Sequence, residues 1–364
     1  MQLQTAGESH GKALLALLTR VPSGIVIDTA LIQNDLKARR VAEGRSERQR
    51  KESDQFEILS GVWKGQTTGA PVAIQIVNTV RDGGEGDGDL RDVESAVPVT
   101  VPRPNHADLP GAQKYGWEGS VDATLCDMRA VSERASARET AARVAAGAVA
   151  KMLLDYFDVS FLATTAHKQN RSDRVTWEEA AQVGDTLGGC VQVEVYGLVP
   201  GLGSCMEAVR RLDARLGAAL FSIPAVKAVS FGDGQLLSAE RGSRVADPIL
   251  LDPDTGRLRR AASHSGGIDG GMTTGETLCA QLGVKPVPTL GPGDSAPASL
   301  DLRTGKATVA PSPRHDTQVA AAVAVIAVAE IALTLSEAYQ EKFGGDVVSD
   351  MREAWSAYRQ RIRG

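Results

Sequence analysis

Cysteine is scarce in this chain and does not cluster: Cys126, Cys190, Cys205 and Cys279 form no CxxC pair. That spacing excludes a cysteine zinc signature and a dense disulfide framework, and leaves buried reduced thiols as the expectation. An excess of positive charge is also missing. The chain has 40 Lys and Arg against 45 Asp and Glu, a formal net charge of −5, whereas nucleic-acid-binding domains are usually basic. No apolar run approaches the ~20 residues that cross a bilayer. Met1 to His10 carries Gln, Glu and His where a signal peptide would be apolar. The expectation is a cytoplasmic protein with neither a nucleic-acid nor a membrane partner. Any anion site must then come from local clustering of arginines.

The 364 residues suffice for one large domain or two. Period-two alternation at Val72, Ile74 and Ile76, and at Val191, Val193 and Val195, predicts half-buried strands of antiparallel sheets. Val209, Leu212, Leu216 and Leu220 are spaced as one helix face. Two alanine-rich segments, residues 137–157 and 317–339, are apolar nearly all round and predict central core helices. Arg143, Lys151 and Glu330 argue against reading them as membrane spans. Each segment closes one half of the chain, which hints at an internal pseudo-repeat, 1–157 and 158–342. The fold class expected is α+β, a layered α/β body with central helices sandwiched between two mainly antiparallel sheets. Residues 81–120 and 233–275 read as long active-site loops, with a flexible tip near 83–89.

Motifs of several catalytic classes are missing: there is no GxxxxGK[ST], GxGxxG or HExxH. Gly7-Glu8-Ser9-His10-Gly11 fits the GxSxG nucleophile elbow, but that turn needs a core strand before it and a helix after it. Four histidines, His10, His106, His264 and His315, lie in polar, glycine-, proline- or arginine-flanked segments suited to proton transfer near neutral pH. Ser136 and Glu139 have the spacing of a capping box. Beside that helix start stand Arg134 and Arg138, a combination suited to a phosphate or carboxylate. Arg39, Arg40, Arg45, Arg48, Arg50 and Lys51 form a second basic cluster, read either as a solvated face or as a loop folding over an anion. Asp316 is either an N-cap or a general base.

Taken together, these motifs resemble the chorismate synthase family. The resemblance is carried by residues 7–11, Arg103-Pro104-Asn105-His106-Ala107-Asp108, residues 134–140 with 143–147, residues 184–189, 264–267 and 270–272, Lys285-Pro286-Val287-Pro288-Thr289, and Arg314-His315-Asp316. It implies a single domain over 1–364 and an anti-1,4-elimination of phosphate from 5-enolpyruvylshikimate 3-phosphate that gives chorismate. It also implies reduced FMN as cofactor, with NADPH as a reductant in some members, and a homotetramer. The length leaves no room for an added reductase domain, which favours a separate flavin reductase.

By the resemblance, His10, His106, Asp316, Ser9 and Ser136 are the catalytic set. His106 is assigned to the protonation state of the flavin, His10 to the departing phosphate, and Asp316 to the ring proton. Cofactor contacts fall on Arg39, Arg45, Arg134, Ala135, Ser136, Pro224, Ala225, Gly270, Lys285, Pro286, Val287, Pro288, Thr289 and Arg314. Substrate contacts fall on Arg39, Arg45, Arg48, Arg103, Arg134 and Arg138. Four positions depart from the family pattern: Glu43 puts an acid beside the arginine loop, Pro224 replaces an amide side chain, Leu109 a tyrosine and Ala228 a glycine. Other readings are a divergent member acting on a related anion, a non-catalytic flavin- or phosphate-binding protein, and a metal-dependent hydrolase using His10, His106, His264, Asp108 and Asp316.

Overall fold

The computed structural model describes residues 1–45, 53–79, 98–115, 127–166, 176–254, 256, 258–291, 296–311 and 316–362. The first half contains β1 (Gln2–Ala6), β2 (Ala13–Thr19), α1 (Thr29–Arg40), β3 (Phe56–Ser60), β4 (Val72–Val77) and α2 (Thr140–Asp155). Its strands form one antiparallel sheet in the order β1-β2-β4-β3. Alternation decides the faces: Leu14, Ala16 and Leu18 of β2 are buried while Leu15 and Leu17 are exposed.

The second half repeats this connectivity. It contains β5 (Ser160–Ala166), β6 (Gly189–Tyr196), α3 (Leu212–Phe221), β7 (Val226–Phe231), β8 (Leu278–Val284) and α4 (Ala320–Phe343), with sheet order β5-β6-β8-β7. A last helix, α5 (Val348–Arg361), packs on α4.

Helix α2 covers the first sheet, α4 covers the second, and the two helices lie against each other at the centre, as the alanine-rich composition led us to expect. Their approach is set by Gly147, where an added Cβ would lie 2.3 Å from the Ala329 Cβ. The charges in these helices are absorbed within the core: Arg143 donates to Glu139 of its own half at 2.9 Å and to Glu330 of α4 at 3.0 Å. By length and composition α4 is apolar enough to cross a membrane, contrary to the expectation that no apolar run approaches that length. Its apolar window is 72% buried inside the molecule.

Two local expectations fail for identifiable reasons. Val209 is not on α3 but in a separate short turn, Ala208–Arg210, and is 80% exposed. The Leu212 N–H donates to the Gly271 carbonyl at 2.9 Å and Arg211 is extended, so the helix starts only at Leu212. The capping box at Ser136 and Glu139 is not made. Ser136 accepts from the Arg138 N–H in a short turn, Ala137–Glu139, while the Glu139 carboxylate is taken by Thr5 and Arg143.

Candidate active site

A cavity of about 520 Å³ lies where the two halves meet. Four chain segments converge on it in matching pairs. From the first half come Arg39 and Arg45 at and after the end of α1 and the residues entering α2; from the second half come Pro224 and Ala225 following α3, and Asp316, Val319 and the first turns of α4 to Ile326. The turn between β1 and β2 adds Ser9 and His10, and residues 103–107 add Arg103 and His106. Because Gly7–Gly11 joins two antiparallel strands rather than a strand to a helix, it is no nucleophile elbow.

Each of the two histidines is held by a carboxylate through Nδ1. His10 Nδ1 lies 2.6 Å from Glu133 Oε1, and its backbone N–H donates to Glu133 Oε2 at 2.7 Å. His106 Nδ1 lies 2.7 Å from Asp108 Oδ1. Burial alone would raise the Asp108 carboxyl, but hydrogen bonds from His106 and Arg103 outweigh it and hold the group well below the usual carboxylate range. Arg103 grips both Asp108 oxygens, at 2.8 and 2.9 Å, and also donates to Ser132 Oγ. With Nδ1 engaged, Nε2 is the ring nitrogen each histidine has for chemistry. The Ser136 hydroxyl donates to Ser9 Oγ at 3.1 Å.

The arginines are organised around two acids. Asp54, fully buried, pairs with Arg138 and lies 3.8 Å from Arg39. Arg138 also donates to Asn78 Oδ1 at 2.9 Å, and the Asn78 amide in turn holds the Gly11 carbonyl at 2.8 Å, tying the His10 turn to the arginine cluster. Arg45 pairs with Asp316. That loop is seated by Gly44, at φ +75, where an added Cβ would collide with Gln318 at 2.7 Å. The Thr317 N–H donates to the Gly44 carbonyl at 2.9 Å.

Three guanidiniums, on Arg39, Arg45 and Arg138, therefore face two carboxylates in a mostly buried setting. Burial pushes the Arg39 guanidinium down to about 9 despite Asp54, and its Nε is buried with no hydrogen-bond partner among the described residues. A buried donor of this kind fits an anionic ligand atom. The rest of the lining is largely apolar, with Pro224, Ala225, Val287, Pro288, Val319, Ala322, Val323 and Ile326, and it also includes Lys285 and Thr289. The combination suits a flat ring system that carries a phosphate. Ala225 adopts φ +72, a left-handed conformation costly for a residue with a Cβ, and its carbonyl accepts from the Lys285 N–H at 2.9 Å.

Of the residues singled out from sequence, Ser9, His10, Arg39, Arg45, Arg103, His106, Ala135, Ser136, Arg138, Pro224, Ala225, Lys285, Val287, Pro288, Thr289 and Asp316 line this cavity. Three do not. Arg134 is exposed and donates to the Thr5 and Gly7 carbonyls at 3.0 Å, bracing β1. Gly270 sits in the turn of the hairpin Ile268–Asp269 and Met272–Thr273, beside Cys205. Pro286 also stands outside the lining. Arg48, Arg314, His315 and the tip at 83–89 lie outside the described residues.

The loop reading of 233–275 needs correcting, since none of its described residues lines the cavity. His264 there is bound to Asp233 at 2.5 Å and its backbone to Asp247. Glu43 is exposed and does not line the cavity. Among the described residues no group of three or more His, Cys, Asp or Glu is placed to hold a metal.

A family model described as chorismate synthase matches residues 1–339. The chain is 40% identical to the chorismate synthase of Tropheryma whipplei, over 98% of this chain and 96% of that protein. It is also 40% identical to the chorismate synthase of Salinispora tropica, over 97% of each. Among solved structures, one titled as a crystal structure of chorismate synthase superposes with a TM-score of 0.73 at 28% identity, covering 100% of this chain and 98% of that one.

Proposed function

The chain belongs to the chorismate synthase family, and from that premise we propose that the cavity between its halves converts 5-enolpyruvylshikimate 3-phosphate to chorismate and phosphate. It is a lyase of aromatic amino acid biosynthesis, from a family whose cofactor is a flavin. The observation that carries the assignment to this cavity is the meeting of two carboxylate-held imidazoles with three buried guanidiniums, one of which, Arg39, has a buried Nε with no hydrogen-bond partner among the described residues. The substrate brings a phosphate and two carboxylates, anionic groups that a cluster of guanidiniums is suited to bind.

In the elimination, the C–O bond to phosphate breaks with its electron pair leaving on oxygen, and a ring C–H bond supplies the pair of the new double bond. His10, through Nε2, gives a proton to the departing phosphate. Asp316, kept in place by Arg45, receives the ring proton. His106 holds the proton balance at the cofactor, its ring fixed by Asp108. Ser9 and Ser136 add hydrogen bonds beside His10. Arg39, Arg103 and Arg138 bind and orient the anionic groups, and the apolar wall excludes water from them.

We take the flavin to be reduced FMN, which when bound supplies electron density to the electron-poor ring as the C–O bond opens. Pro224, Ala225, Val287 and Pro288 would hold its ring system, and Lys285 and Thr289 its polar edge or phosphate. Supply by a separate reductase, with Arg39 and Arg45 open to the phosphates of NADPH where flavin is reduced in place, belongs to the same proposal. So do a cytoplasmic location and assembly as a homotetramer, which light scattering checks.

Anaerobic incubation with photoreduced FMN and 5-enolpyruvylshikimate 3-phosphate tests the reading. The expected result is chorismate and phosphate in equal amounts with no net flavin oxidation. No product, or flavin oxidised in step with product, rejects it.

A further inference from the structure

Glu133 is a charged residue at the cavity wall to which the mechanism above gives no task. It stands in the last turn of the short helix Arg129–Arg134, its side chain is only 11% exposed, and each of its oxygens lies against His10. Oε1 lies 2.6 Å from His10 Nδ1, and Oε2 accepts the His10 backbone N–H at 2.7 Å. Its carbonyl accepts the Ser9 N–H at 3.2 Å. A carboxylate that clasps the main chain and the ring of one histidine fixes both where that residue sits and which ring nitrogen carries the proton. The preceding residue, Ser132, accepts from Arg103, which in turn holds Asp108 and contacts His106. One short helix thus reaches both imidazoles by way of two consecutive side chains.

We propose that Glu133 is the positioning residue of His10. Its carboxylate keeps the hydrogen on Nδ1 and leaves Nε2 as the nitrogen that exchanges a proton with the departing phosphate. The proposal rests on the reading of His10 as the acid for that phosphate. No bond to Glu133 forms or breaks: the proton given to phosphate comes from His10 Nε2, and Glu133 stays ionised and hydrogen-bonded throughout. Glu133→Gln keeps the shape but offers an amide that can present N–H to Nδ1 and so select the wrong tautomer. The sequence pattern gave no sign of this role, because Glu133 and His10 meet only through the fold.

The test is a cycle of Glu133→Gln, His10→Asn and the double variant, each loaded with photoreduced FMN and assayed anaerobically for chorismate. Glu133→Gln is expected to lower kcat on the order of 100-fold with KM changed less than about threefold. In the His10→Asn background the same substitution is expected to change kcat less than about threefold, because its route of action is gone. A full second loss in the double variant would show that Glu133 acts elsewhere, and would overturn the proposal while leaving the role of His10 intact. Wild-type turnover in His10→Asn would instead reject the reading of His10 on which the proposal rests. Should Glu133→Gln fail to fold, Glu133→Asp is carried through the same cycle. It retains a carboxylate on a shorter arm, and kcat losses equal in the presence and absence of His10 would again overturn the assignment.

Discussion

The two halves of the molecule share one connectivity, two strands, a helix, two strands and a core helix, yet they equip the shared cavity in opposite ways. In the first half the last turn of α1 and the chain after it carry Arg39 and Arg45, and the entry to α2 carries Ser136 and Arg138. At the matching places of the second half, the chain leaving α3 carries Pro224 and Ala225, and the entry to α4 carries Asp316 followed by Val319, Ala322 and Val323. Matching ends of a repeated scaffold thus supply arginines and hydroxyls from the first half, and from the second a mainly apolar lining with one carboxylate, Asp316. A ligand that is both flat and polyanionic needs both, so neither half alone would make this site.

Breaking the charged side should have the largest effect. His10→Ala and His106→Ala are each expected to lower chorismate formation 10²- to 10⁴-fold, with thermal melting shifted little because both rings lie at the cavity wall. Next comes the seam between the halves. Gly147→Ala forces a methyl to within 2.3 Å of the Ala329 Cβ and is expected to cost about 2–3 kcal/mol in urea unfolding. An unchanged midpoint would mean that the central helices separate easily.

Smaller effects probe the second half. Lys285→Ala is expected to weaken flavin phosphate binding about tenfold, or ~1.4 kcal/mol, measured by fluorescence titration. Ala225→Gly relieves the φ +72 conformation and is expected to be neutral or stabilising by up to about 1 kcal/mol. The apolar wall is thereby tested as shape rather than charge.

A pH prediction tests the carboxylate that holds His106. The folded Asp108 carboxyl is depressed, with hydrogen bonds from His106 and Arg103 overcoming its burial. Its stabilisation is present above the unfolded value of about 3.9 and is lost as pH falls through the folded value. Wild-type protein should therefore lose stability steadily on acidification below about pH 4. Asp108→Asn should flatten that slope in acid unfolding followed by circular dichroism.

Much of this was legible in the sequence where the signal is local. The strands around Val72–Ile76 and Val191–Val195 and the alanine-rich core helices carry their period and composition in consecutive residues. What could not be read depends on partners far along the chain. Glu139 leaves its capping box for Thr5 and Arg143. Arg134 turns to the carbonyls of β1, and Val209 is cut from its helix by a hydrogen bond to Gly271. Glu133, Asp54 and Asn78 were missed as site residues for the same reason. Each is an ordinary polar residue in sequence, and only the fold brings it against His10, the arginine pair or the His10 turn.

The most direct measurement is a crystal structure of the chain with FMN and 5-enolpyruvylshikimate 3-phosphate bound. The account requires the ligands to touch both halves at once, with Arg39 or Arg138 on an anionic group and the Pro224–Ala225 segment against the flavin. Ligands resting on one half only, or in the groove beside Lys151 and Phe161, would contradict it.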